Sequence, residues 1–127
     1  MKHSYISVQT QFVGLHNWSK CPIEEVRFLQ YPHRHIFYVT ATLPVAHDDR
    51  QLEFFMVKEQ LDEIIHAKFF MGNNGMYELG SKSCEMIADI IVDELHRLDP
   101  KLLWIRVTVS EDNENNAGVM WEKDSCL

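Results

Sequence analysis

Residues 32 to 43 read PHRHIFYVTATL. The run IFYVTATL is rich in β-branched and aromatic residues, the composition of a strand, and it opens on His33 and His35. Two apart on a strand, both imidazoles project from one face, because successive side chains alternate across the pleat. Either they share a partner such as a metal ion, or they are surface residues flanking Arg34.

Upstream, residues 5 to 15 place Ile6, Val8, Thr10 and Phe12 in partial alternation, which predicts a half-buried strand ending near His16. Residues 17 to 32 (NWSKCPIEEVRFLQYP) carry two prolines and no sustained period, which reads as a long loop with one short helical turn. Consecutive strands usually neighbour each other, so His16, His33 and His35 converge. Zinc accepts three imidazole nitrogens and keeps its fourth tetrahedral position for water or a ligand. Spacing alone leaves the solvated-surface alternative open. His3, His47, His66 and His96 are assigned no role.

Downstream, PVAHDDR makes a turn, and Val57, Leu61, Ile64, Ile65 and Phe69 then recur at helical spacing, predicting a helix over about residues 56 to 68. MGNNGMYELGSK (71–82), with three glycines and two asparagines, breaks the period. Ser83 suits the cap of a second helix and Glu85 its positive end. Ile87, Ile91, Leu95 and Leu98 form its apolar stripe, and Asp99-Pro100 stops it. LLWIRVTVSE and AGVMWE, joined by DNENN, read as two closing strands. The expected architecture is one α+β domain over residues 1–127, order ββααββ, with two helices on one face of a four-stranded antiparallel sheet. Its two open edges invite closure with further copies.

Composition bounds the function classes. A chain of 127 residues with 46% hydrophobic residues is one domain able to bury a core without staples. A net charge of -7 argues against a nucleic-acid partner. Cys21, Cys84 and Cys126 are too few and too oddly numbered for a disulfide framework, which points to a reducing, cytoplasmic setting. Neither a secretory signal nor a membrane span is legible.

Over nearly its whole length the chain resembles the 6-pyruvoyltetrahydropterin synthase and 6-carboxytetrahydropterin synthase family, whose tunnelling fold (T-fold) has the same element order. FVGLH (12–16) resembles the family's F-x-A-x-H and HRH (33–35) its H-G-H, which together supply three zinc ligands. EFFMVK (53–58) resembles D-F-x-x-L-K, SCEMIA (83–88) resembles T-x-E-N-x-A, and SEDNENNAGVMW (110–121) resembles the E-T followed by a short last strand. The resemblance implies zinc on His16, His33 and His35. It also implies a pterin gripped by Glu111, since a carboxylate can hold the N–H and NH₂ of a 2-aminopyrimidinone edge as a bidentate pair. Ser83 and Glu85 would line the pocket or simply cap the helix. A trimer or pair of trimers (a hexamer) would close a barrel, with pockets between subunits and 7,8-dihydroneopterin triphosphate as substrate of a carbon-oxygen lyase.

The departures concern proton transfer. The family's cysteine a few residues before H-x-H is absent from FLQYPHRH. Cys21, in the loop, is the replacement candidate if the metal's positive charge lowers its pKa; otherwise it is a small buried hydrophobe. The family's Asp-His pair falls on Phe69 and Phe70, and Asp62 and His66 lie one turn earlier. Arg34 replaces the glycine of H-G-H, and Met86 replaces the asparagine after Glu85. Trp18, Phe28 and Tyr31 either stack on a bound ring or seal a subunit interface. Three readings follow: a zinc-dependent lyase, a non-catalytic binder of a pterin-like or purine-like ligand, and a structural oligomer whose histidines hold no metal.

Overall fold

The two long strands around the histidines pair along their full length. In the computed structural model, which describes residues 1–124, β1 (Ser4–His16) and β2 (His33–Val45) run antiparallel from Ser4 opposite Val45 to His16 opposite His33. Cys126 lies outside the described residues. The connecting loop contains a 3-10 helix (Glu24–Gln30). It is tied back where the Trp18 N–H donates to the Leu29 carbonyl at 2.7 Å and Asn17 Nδ2 donates to the Gln30 carbonyl at 2.9 Å.

Helix α1 (Phe54–Lys68) starts two residues ahead of the sequence expectation, because the Glu53 carboxylate accepts from the N–H groups of Phe55 and Met56 and so caps it. Two short strands follow, β3 (Phe70–Met71) and β4 (Tyr77–Gly80), then α2 (Cys84–Leu98), β5 (Trp104–Glu111) and β6 (Asn115–Glu122). Ser83 caps α2 as expected, its hydroxyl accepting from the Met86 N–H at 3.2 Å.

The four-strand expectation is corrected. Among the described residues the sheet has six strands, ordered β3-β4-β1-β2-β5-β6, and β4 runs parallel to β1 while every other pair is antiparallel. The chain order is therefore ββαββαββ rather than ββααββ. Strands of two and four residues are too short to show alternation in sequence. Between them Gly75 takes a left-handed φ of 79°, so glycines that read as a broken period serve a tight turn.

Alternation then decides what each face carries. Val8, Thr10 and Phe12 on β1, Phe37, Val39 and Ala41 on β2, and Ile105, Val107 and Val109 on β5 are buried on one face. There they meet the apolar stripes of both helices, Leu61 and Ile65 of α1 and Ile87, Ile91 and Leu95 of α2. The other face carries polar side chains, with Ser7 hydrogen-bonded to Thr42 and Gln9 to Thr40. At one end of the helix-covered face the same parity places His16, His33, His35 and Glu111. No helix among the described residues is long and apolar enough to cross a membrane.

Leu79 is fully buried on β4, in the stretch that sequence alone reads as a break. Leu79→Ala is expected to lose about 2–5 kcal/mol of unfolding free energy in urea melts, the range for core leucines. A loss under about 0.5 kcal/mol, typical of a surface position, would contradict its place in the core.

Candidate functional site

The three histidine rings meet where β1 and β2 end and begin. Ring centroids are 4.6 Å apart for His16 and His33, 4.9 Å for His33 and His35, and 5.4 Å for His16 and His35. One nitrogen from each ring can be chosen so that all three lie within 4.8 Å of one another. Phe37 supports the group from the core, edge-on to His16 at 5.1 Å and to His35 at 5.8 Å.

Each ring is oriented through its Nδ1. His16 Nδ1 donates to the Lys82 carbonyl at 2.9 Å, His33 Nδ1 to the Tyr31 carbonyl at 2.9 Å, and His35 Nδ1 to Asp112 Oδ2 at 2.6 Å. All three partners are acceptors, so each ring donates through Nδ1, and in the neutral imidazole this leaves the Nε2 lone pair for a metal. Such outer hydrogen bonds fix tautomer and orientation in metal-binding histidines. Among the described residues, His16 Nε2 and His35 Nε2 are buried without a hydrogen-bond partner. An orphaned buried acceptor carries a penalty of about 1–3 kcal/mol, which a cation removes. The donor set therefore fits a divalent metal. Burial is the main cause holding the His16 pKa below its ordinary value, with the Lys82 carbonyl and Glu111 pulling the other way. A neutral imidazole is the form a metal needs.

Asp112 escaped the sequence reading. It sits in the turn after β5 at a left-handed φ of 56°, its N–H donating to the Ile36 carbonyl at 2.7 Å and its Oδ1 accepting from the Ile36 N–H at 2.9 Å. The hydrogen bond from His35, then that from Ile36, hold its carboxyl below the usual range. In sequence it is one acid in EDNE; only the β2–β5 register sets it beside His35.

Glu111 ends β5 opposite Phe37, with Oε1 at 3.2 Å from His16 Nε2 and Oε2 at 3.4 Å from His35 Nε2. Cys84, at the start of α2, donates its thiol to Glu111 Oε1 at 3.7 Å. Burial, reinforced by the Glu111 charge, pushes the Cys84 pKa up to about 12. It is thus a protonated donor, and a second residue that sequence reasoning passed over, as filler in SCEMIA.

His16, His33, Glu111 and Cys84 line a cleft of about 440 Å³, within the range of small-molecule sites, and His35 and Asp112 stand behind its wall. Ser83, Glu85, Met86 and Trp18 line it as well, together with Asn115 and Asn116 of β6. Phe28 and Tyr31 are exposed and do not line it. Neither does Cys21: it is buried, its thiol turned to the carbonyls of Ile23 at 3.6 Å and Val26 at 3.7 Å. Phe69 is packed in the core against Phe12. His66 and Asp62 also lie outside the cleft lining, His66 near the Tyr77 hydroxyl at 3.5 Å and Asp62 paired with Lys58 at 3.1 Å. Arg34, opposite Leu15 in the ladder, belongs by parity to the sheet face away from the histidines.

If the cluster holds a divalent metal, Asp112→Asn is expected to weaken that binding about 10–100-fold, the usual effect of losing a partner that orients a ligand histidine. Competition with a chromogenic chelator reads this, and unchanged affinity would show that Asp112 does not set the ring. Cys84 is expected to resist iodoacetamide at about pH 8, where an ordinary thiol is substantially ionised. Peptide mapping that finds it rapidly alkylated would contradict a protonated thiol.

No protein-family model and no curated protein matches the sequence. Solved structures match in fold. The Plasmodium falciparum 6-pyruvoyl tetrahydropterin synthase is 16% identical, with 95% of this chain and 99% of that chain covered and a TM-score of 0.70. The Plasmodium vivax enzyme is 15% identical, over 97% and 100%, with a TM-score of 0.68. The Caenorhabditis elegans enzyme is 12% identical, over 98% of each chain, with a TM-score of 0.63. The chain therefore has, at low sequence identity, the fold of the 6-pyruvoyl tetrahydropterin synthases.

Proposed function

We propose that the chain is a zinc protein of the 6-pyruvoyl/6-carboxy-tetrahydropterin synthase type, acting on 7,8-dihydroneopterin triphosphate or a related pterin. The observation that supports this reading is the set of three Nδ1-anchored imidazoles with ring nitrogens clustered within 4.8 Å, the Nε2 atoms of His16 and His35 being buried and unpartnered among the described residues. His16, His33 and His35 would hold Zn2+, whose chemistry when bound is to polarise a side-chain hydroxyl or carbonyl and acidify a neighbouring C–H. Glu111 offers two acceptor oxygens to the N–H and NH₂ of the ring. Ser83 and Glu85 border the same cleft, and so does Trp18, whose indole is of a kind that stacks on a flat ring. Trimers, or pairs of trimers, are the assembly this reading expects, with the edge strands β3 and β6 as the joining surfaces. It expects a reducing, cytoplasmic setting, in keeping with the free thiols of Cys21 and Cys84. Neither nucleic acid nor membrane is among its partners.

In this reading Cys21 is the candidate base, and its thiol must leave the carbonyls of Ile23 and Val26 to reach the cleft. That placement favours a second reading, a non-catalytic binder of a pterin-like or purine-like ring. The thiol that does line the cleft, Cys84, is a donor with a pKa of about 12, not a base at neutral pH.

Incubating the zinc-loaded protein with 7,8-dihydroneopterin triphosphate separates the two. Phosphate release with a new pterin product supports the lyase, and tight binding without turnover supports the binder. Failure to bind both zinc and ring refutes each. If there is turnover, Cys21→Ala is expected to abolish it, and full activity would remove that residue from the mechanism. At saturating zinc, Glu111→Gln is expected to lose ring binding in a fluorescence titration, and unaltered affinity would count against the carboxylate's role.

A further inference from the structure

We propose that Glu111 is a fourth, displaceable ligand of the metal, so that the ion and the ring compete for one carboxylate. This rests on the reading that His16, His33 and His35 bind zinc. The carboxylate straddles the histidine group, with Oε1 3.2 Å from His16 Nε2 and Oε2 3.4 Å from His35 Nε2. Neither contact is a hydrogen bond, because both Nε2 atoms lack a hydrogen-bond partner among the described residues. Both rings are anchored on their other side, through Nδ1 to the Lys82 carbonyl and to Asp112. Two buried ring nitrogens and two carboxylate oxygens thus converge on one small space, the kind of donor cluster that a cation would hold together.

The separations suit a metal ion there. With zinc–nitrogen and zinc–oxygen bonds of about 2.0–2.2 Å, the ligand atoms of a tetrahedral ion stand about 3.3–3.5 Å apart. The two nitrogen–oxygen distances, each to a different oxygen of the carboxylate, lie within or just under this range, so a small turn of the carboxylate brings one oxygen to the ion. Cys84 holds the carboxylate from the other side through its thiol at 3.7 Å from Oε1. Three histidines and one glutamate would close the coordination sphere at rest. A ring that takes Glu111 into a bidentate pair then opens a position on the ion, so ring binding and metal coordination are coupled, and by linkage the effect is mutual. Ligands that bring their own oxygen donor to the vacated position are favoured over bare rings, which makes Glu111 a specificity determinant.

The test compares wild type and Glu111→Gln with zinc and cobalt(II) alone. Zinc affinity from chelator competition is expected to fall at least about tenfold in the variant, and the visible spectrum of the cobalt(II) form is expected to shift. Equal affinity together with an unchanged spectrum would overturn the proposal while leaving the three-histidine site intact. If wild type takes up no metal, the zinc reading itself fails and this proposal with it. Should the variant not fold, crystals of zinc-loaded wild type decide: a Glu111 oxygen within about 2.2 Å of the ion supports ligation, and a carboxylate well outside bonding distance refutes it.

Discussion

His16 stands opposite His33 in the β1–β2 ladder, and a slip of one residue in that pairing would turn every side chain of one strand to the other face. Val8, Phe12, Phe37 and Val39, buried beneath the helices, resist such a slip, since exposing them would sacrifice the core. The hydrophobic contacts that fold the sheet thus also set the histidine geometry. Core and site are consecutive stretches of one alternating pattern, apolar where the helices cover it and imidazole and carboxylate where they do not.

Orientation is supplied locally. The carbonyls of Lys82 and Tyr31 lie in segments that border the cleft, just before α2 and just before β2. Asp112 adds a charged partner from the β5–β6 turn. Three separate parts of the chain therefore hold the three rings. The turn carrying Asp112 is itself fastened to Ile36 by two hydrogen bonds, which makes the third anchor as firm as the two backbone ones.

The legible part of the fold was the part with long periods. Thirteen-residue strands and fifteen-residue helices show their alternation or stripe, and Ser83 announces its helix by capping chemistry. Strands β3 and β4 were hidden because pairing, of β4 with β1 and of β3 with β4, makes them strands, not local composition. In the site, the histidines were readable because strand pairing brings His16 to the His33–His35 pair and because FVGLH and HRH resemble the family's ligand motifs. Asp112 and Cys84 were not, because their roles depend on which segments the topology brings together. Cys21 drew notice as the nearest thiol upstream of the histidines, yet the 3-10 turn folds its sulfur onto local carbonyls.

Arg34 sits between two candidate zinc ligands, yet parity sends it to the far side of the sheet. On the near side a guanidinium would form a fork with Glu111 and exclude a cation from the histidines. Placed behind the sheet, it adds a weak attraction that helps keep Asp112 ionised, after the hydrogen bonds from His35 and Ile36. The backbone thereby separates the guanidinium, which would rival any cation at the histidines, from the carboxylate it would seize, and lets a large cationic residue occupy the position between His33 and His35.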